Sequence, residues 1–247
     1  MAAGREPLTG GRPRVPARRL VWVLAGVGVG VVALAVTATL LPDPLGGISR
    51  RAWVLTASTA FVGLGGLAAV AVRRRAAVLL LAGLLHCWLG DALGPVSFTL
   101  GGLSFLGGHL WFIVAFAGQG LDARRSRRAG GVLLLAGVLI GWWLLPRIGS
   151  ATDLALVLAY MTVISLMVVA AAGTRRGAWR YAVLAAALFY VSDIVVADWR
   201  FVHSALRHEL ICYPLYYAAC VLLALWPLAA GQAGAAGAPR PGESVRV

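Results

Sequence analysis

The chain has 247 residues, of which 60% are hydrophobic and 13% charged, with a mean hydropathy of +0.85. A soluble domain carries about 25% charged residues, so the composition excludes a water-soluble globular enzyme. The net charge of +13 comes from 22 basic residues, all Arg. They cluster between apolar runs, with no aromatic-interleaved basic face or helix-turn-helix pattern, which argues against nucleic-acid binding.

A bilayer is crossed by about 20 apolar residues. Eight stretches qualify: Leu20–Leu41, Ala52–Val72, Ala76–Gly94, Ser97–Gln119, Ala129–Pro146, Thr152–Ala172, Ala178–Trp199 and Leu210–Ala230. The expected fold is all-α, a polytopic bundle of eight transmembrane helices over residues 20–230. The loops are too short to hold a soluble domain. Residues 1–19 and 231–247 are rich in Gly, Pro, Ala or Arg and are expected to be disordered. The first span follows a basic segment, and Ala35-Val36-Thr37-Ala38 offers small residues for cleavage. Its apolar run exceeds a typical signal core, so it is read as a retained span.

Arg placement orients the bundle. One side holds Arg5, Arg12, Arg14, Arg18, Arg19, Arg73–Arg75, Arg124, Arg125, Arg127, Arg128, Arg175, Arg176, Arg180, Arg240 and Arg246. The other holds Arg50, Arg51, Arg147, Arg200 and Arg207. Eight spans then put both termini in the cytoplasm, with the chain in the plasma (inner) membrane.

Most acids fall in loops, and Asp198 sits at a span end. Asp91 in LLHCWLGDALG and Asp193 in YVSDIVVA lie inside spans, where a carboxylate costs about 2.5–3.5 kcal/mol. Both follow their span's start by 15 residues (Ala76 and Ala178), so both lie about 22 Å along a core of about 30 Å. Tyr160, and Tyr216 and Tyr217 just after a kink expected at Pro214, approach that level from the opposite direction. His109 lies somewhat deeper on the fourth span, and His86 one to two turns deeper than Asp91. A polar layer is expected around the two carboxylates, capped by Arg200 and Arg207. Alternatives stay open: the tyrosines suit an interfacial belt, His86 suits packing, and either Asp suits a structural hydrogen bond.

Cys87, Cys212 and Cys220 lie in apolar runs without C-x-x-C spacing, so neither a disulfide framework nor a zinc site is expected. His203, His208 and Glu209 match no helical ligand pair, and no metal or cofactor is expected. Paired glycines such as Gly101-Gly102 and Gly107-Gly108 permit close helix packing.

The segment GLLHCWLGDALG, followed by FTLGGLSFLGGHLWFIVAF, resembles the third and fourth spans of the YhhN/lysoplasmalogenase family. AYMTVISLMVVAA resembles its sixth span, with Tyr160 and Met167 in register. ALFYVSDIVVADWRF resembles its motif F-x-x-S-D-x-x-x-A-x-x-R-F, here Phe189, Ser192, Asp193, Ala197, Arg200 and Phe201. The resemblance covers residues 83–116 and 157–201. The family's Lys-Pro in the second span is missing from TASTAFVGLGG. Cys87, Phe112 and Cys220 stand where Ser, Tyr and Gln are common.

The resemblance implies hydrolysis of the vinyl ether of a lysoplasmalogen to a fatty aldehyde and a glycerophospho-base. One carboxyl would protonate the β-carbon, and the other would stabilise the oxocarbenium ion and orient water. Asp91 and Asp193 are the expected catalytic pair. Ser192, His109 and Tyr160 would orient them or the water, with Tyr216 and Tyr217 in the same layer, and Arg200 would meet the lipid phosphate. The expected partners are a lysophospholipid, membrane lipid and water; the oligomeric state is not legible. Two rival readings are a transporter or channel using the Asp pair as a proton or cation site, and an intramembrane aspartyl protease. The protease's G-x-G-D signature is broken by Trp88, and its Y-D partner motif is missing.

Overall fold

The computed structural model describes residues 14–41, 47–175, 178–203 and 207–236. The described residues hold eight α-helices: α1 (Arg14–Leu40), α2 (Arg50–Val72), α3 (Arg75–Leu93), α4 (Phe98–Ala117), α5 (Ala123–Leu144), α6 (Ala151–Gly173), α7 (Trp179–Phe201) and α8 (Arg207–Ala236), with a 3-10 turn, Leu145–Arg147, after α5. Each α-helix is long and apolar enough to cross a bilayer. Among the described residues there is no strand, only a lone bridge between Leu121 and Thr174. The expected disorder falls mainly on residues 1–13 and 237–247, which lie outside the described residues. The helices themselves reach outward to Arg14 and Ala236.

Local chemistry sets the helix starts. Ser49, Ser97 and Ser150 accept the backbone N–H of Ala52, Leu100 and Asp153, capping α2, α4 and α6. Asp122 caps α5 by accepting from the Arg125 N–H, and this bond holds its carboxyl below the usual carboxylate range. That cap explains one boundary: α5 starts at Ala123, not Ala129, because it takes in the basic run Arg124–Arg128 as its first turns. At the other end of α2, Arg73 caps the helix in the left-handed region (φ 51°), donating its N–H to the Ala69 carbonyl. α8 continues through Pro214 and Pro227.

Packing closes six helices into a ring. α2 contacts α3, α3 contacts α4, α4 contacts α6, then α6 α7, α7 α8, and α8 α2. α1 lies outside the ring against α2 and α8, and α5 lies outside it against α6. Buried aromatic and aliphatic side chains fill the ring, among them Phe61, Leu80, Leu84, Phe112, Phe116, Met167, Leu223 and Trp226. Between helices in lipid, close backbone approach takes the place of a hydrophobic driving force. The α3–α4 seam shows this most directly. A Cβ on Gly101 would lie 2.7 Å from the Gly94 Cα, and one on Gly83 would overlap the Phe112 ring.

The seam yields a stability test. Gly101→Ala sets a methyl against backbone that has no rotamer to yield, and should cost about 1–3 kcal/mol. Gly137→Ala on α5, with nothing within 4 Å, should be neutral. Thermal unfolding of both variants in detergent would show the contrast.

Candidate functional site

Each helix of the ring supplies a side chain to one polar cluster. On α3, Asp91 takes two hydroxyl donors on a single oxygen, Oδ2. Ser58 of α2 bonds it, and the Tyr216 hydroxyl of α8 donates at 2.9 Å. Asp91 Oδ1 has no hydrogen-bond partner among the described residues. On α7, Asp193 Oδ2 lies 3.2 Å from His109 Nε2 of α4, and the same nitrogen lies 3.0 Å from the Tyr160 hydroxyl of α6.

The His109 tautomer follows from its surroundings. The side chain is fully buried and Nδ1 has no partner among the described residues. A buried N–H without an acceptor costs about 1–3 kcal/mol, so the proton belongs on Nε2. There the N–H points at Asp193, with the Tyr160 oxygen as second acceptor.

A line of rings joins the two carboxylate groups. The His109 ring stands edge-on to Phe189 at 4.6 Å, and Phe189 stands edge-on to Tyr216 at 5.3 Å. Such T-shaped pairs contribute about 0.5–1.5 kcal/mol beyond burial. Phe189 lies one turn below Asp193 on α7, so one helix positions both a carboxylate and the ring that links His109 to Tyr216.

Both carboxylates line a single cavity of about 500 Å³, within the range of small-molecule sites. Its wall is mainly apolar: Phe98, Phe105, Leu144, Leu156, Met161 and Ile164 are representative. The charged residues lining it are Asp91, Asp193, Arg50 and Arg51. Arg50 pairs with Glu209 at 2.9 Å, while Arg51 donates to the Ala92 carbonyl at 3.2 Å and makes no ion pair among the described residues. His, Cys, Asp and Glu side chains form no group of three suited to a metal ion among the described residues.

The residues expected from sequence divide by position. Asp91, Asp193, Tyr160, Tyr216 and Ser192 line the cavity. His109 stands behind Asp193. Tyr217 stands behind Asp91, its hydroxyl donating to the Val54 carbonyl at 3.2 Å and lying 3.4 Å from Ser58. Ser192 bonds Cys212, through its carbonyl at 3.3 Å, and so ties α7 to α8 rather than touching a carboxylate. Arg200 lies 3.9 Å from Asp153 with its guanidinium over Phe98 and Phe201, and is not among the lining residues. The Arg207 side chain lies outside the described ones. His86 bonds the Ala82 carbonyl and packs against Gly107. Asp198, one turn beyond the cavity-lining Ile194, bonds His203 and His208.

Four participants are not legible in the sequence: Ser58, Phe189, Arg50 and Arg51. Ser58 gave no signal, since a helical serine usually bonds its own i−4 carbonyl, and Ser58 reaches Val54 as well. Phe189 is visible in the sequence only as part of a motif. Arg50 and Arg51 look like loop charge in the sequence. Their side of the chain, with few Arg residues, held the clue.

A family model, YhhN family, matches residues 51–226. The chain belongs to the YhhN family. The YhhN match takes in every carboxylate, hydroxyl and imidazole of the cluster. It spans α2 to most of α8, the six ring helices and α5, and leaves out α1, which packs outside the ring. No curated protein and no solved structure matches the chain.

The double donation to Asp91 predicts different outcomes for two variants. Asp91→Asn keeps an amide oxygen for the Tyr216 and Ser58 hydroxyls and should unfold near the wild-type temperature. Asp91→Leu strands the buried Tyr216 hydroxyl and should cost about 1–3 kcal/mol. Thermal unfolding in detergent would check both.

Proposed function

We propose that the cavity is the active site of a membrane-embedded hydrolase that cleaves the vinyl ether of lysoplasmalogens or a related lysolipid ether. The observation that carries this reading is one mainly apolar cavity, sized for a small ligand, with both intramembrane carboxylates in its wall. The family assignment fits it. A proton or cation path would need polar groups along the whole span. Here the charged lining is confined to Arg50, Arg51, Asp91 and Asp193, and beyond them the ring is filled by side chains such as Phe61, Phe112, Phe116 and Leu223. That favours the hydrolase over a transporter.

In this reading the two carboxylates divide the work. Asp193, facing the His109 N–H, is the ionised member, because a directed N–H stabilises the anion. Asp91 is the acid, with both its donors on Oδ2 and Oδ1 left to carry a proton. Asp91 transfers that proton to the β-carbon of the vinyl ether, and the electron pair of the double bond forms the new C–H bond. The resulting oxocarbenium ion is stabilised by Asp193. Water held by Asp193 adds to the cationic carbon and gives a proton to Asp193, which returns it to the glycerol oxygen as that oxygen leaves, while the hemiacetal hydroxyl proton passes to Asp91. The hemiacetal then collapses, breaking the carbon–oxygen bond to release a fatty aldehyde and the glycerol hydroxyl. One water is consumed and both carboxyls return to their starting states.

Aldehyde release by purified protein on a panel of lysolipids tests the reaction. Asp91→Asn and Asp193→Asn should each abolish it in folded protein. Ser58→Ala, which removes a hydrogen bond to the negative charge that develops on Asp91 as it gives up its proton, worth about 1.5–3 kcal/mol, should lower turnover about ten-fold or more. Asp198→Asn should retain most of it, since Asp198 is outside the cavity wall. Full turnover by either Asn variant at the two central positions would end the two-carboxylate mechanism. We further propose a plasma (inner) membrane location with both termini cytoplasmic, from the Arg asymmetry. Reporters fused to each terminus, active only in the cytoplasm, should both be active.

A further inference from the structure

We propose that Arg50 and Arg51 form the site for the phosphodiester of the lipid substrate and set the register of its vinyl ether against Asp91. This rests on the hydrolase reading above and assigns a role that Arg200 was expected to fill. Three observations converge. First, Arg50 and Arg51 are the cationic residues in a wall that is otherwise mainly apolar or acidic, while Arg200 is occupied with Asp153 and two phenylalanine rings. Second, Arg51 spends one N–H on the Ala92 carbonyl and has no carboxylate partner among the described residues. A guanidinium has five donors, so most of Arg51 remains available for an anion. Arg50 is held by Glu209, which fixes its position in the wall.

Third, the spacing fits. Ser58, which bonds Asp91, follows Arg51 by seven residues on α2. At the rise of an α-helix the two levels are about 10 Å apart. In a 1-alkenyl glycerophospholipid, the path from phosphorus to the β-carbon of the vinyl ether is seven bonds. At the reach of an extended chain, about 1.2 Å per bond, it spans about 8 Å, and a guanidinium–phosphate contact adds about 3 Å. A phosphate on the Arg pair therefore brings the vinyl ether level with Asp91. A neutral ether has nothing to hold it in that register.

The test uses ligands that cannot be cleaved, so that binding is separated from chemistry. A saturated 1-O-alkyl glycerophosphocholine and the matching 1-O-alkyl glycerol are titrated into the full-length protein in nanodiscs, following tryptophan fluorescence. The phospholipid should bind at least ten-fold more tightly than the neutral ether. Arg51→Gln, confirmed folded by size-exclusion chromatography, should raise the Kd for the phospholipid about ten-fold, as loss of a charge-assisted hydrogen bond implies. The Kd for the neutral ether should not move. Arg51→Lys should recover part of the loss.

Equal weakening of both lipids, no weakening of either, or a loss in Arg200→Gln in place of Arg51→Gln would overturn the assignment. Displacement of the phospholipid by millimolar inorganic phosphate would also overturn it, because the pair would then be a free-anion site. Arg51-dependent phospholipid binding without aldehyde release from the vinyl-ether lipid would sustain the headgroup site and sink the hydrolase.

Discussion

A carboxylate in hydrocarbon must be surrounded by protein donors, and the architecture of the bundle follows from having two. Each would cost about 2.5–3.5 kcal/mol on a lone helix. In the ring, Asp91 draws its donors from α2 and α8 and Asp193 faces one from α4. Neither requirement is met by sequence neighbours, so neither carboxylate is satisfied until distant helices have met. That ties the polar layer to ring closure, and the small residues of the α3–α4 seam serve the same end by letting backbones approach.

The environments of the two acids differ in a way that composition alone does not produce. Asp91 meets two hydroxyls, of Ser58 and Tyr216, while Asp193 meets the imidazole of His109 with Tyr160 beside it. The Phe189 ring touches both His109, the partner of Asp193, and Tyr216, the partner of Asp91, so a change at that ring would disturb two carboxylates at once. Tyr217, behind Asp91, and Ser192, in the cavity wall, brace the helices rather than touch Asp193 or the free oxygen of Asp91. One steadies the backbone of α2 and the other the contact of α7 with α8.

The eight helices were legible because hydropathy is a property of single segments, and Asp91 and Asp193 stood out because depth along a helix is fixed by residue count. What crosses between segments was not. Nothing in TASTAFVGLGG distinguishes a serine that caps its own turn from one that also reaches a carboxylate on α3. Arg200, conspicuous beside the motif, turns to Asp153, whereas Arg50 and Arg51, in a region without motif, enter the cavity wall. The early start of α5 was hidden for a related reason. Four arginines read as loop, yet Asp122 supplies a cap that lets the helix begin before them.

The turn between α2 and α3 shows a conflict between two stages of the chain's history. Arg73 adopts a left-handed conformation that costs a non-glycine residue about 1–2 kcal/mol. Glycine is the usual solution at such a helix end. It would relieve the strain but shorten the run Arg73–Arg75 by one charge. The strain is borne by the finished bundle for as long as it stays folded. In the proposed orientation the charge matters earlier, while the hairpin is still being laid across the bilayer and basic residues resist translocation. The sequence at this position thus favours correct threading over a relaxed backbone.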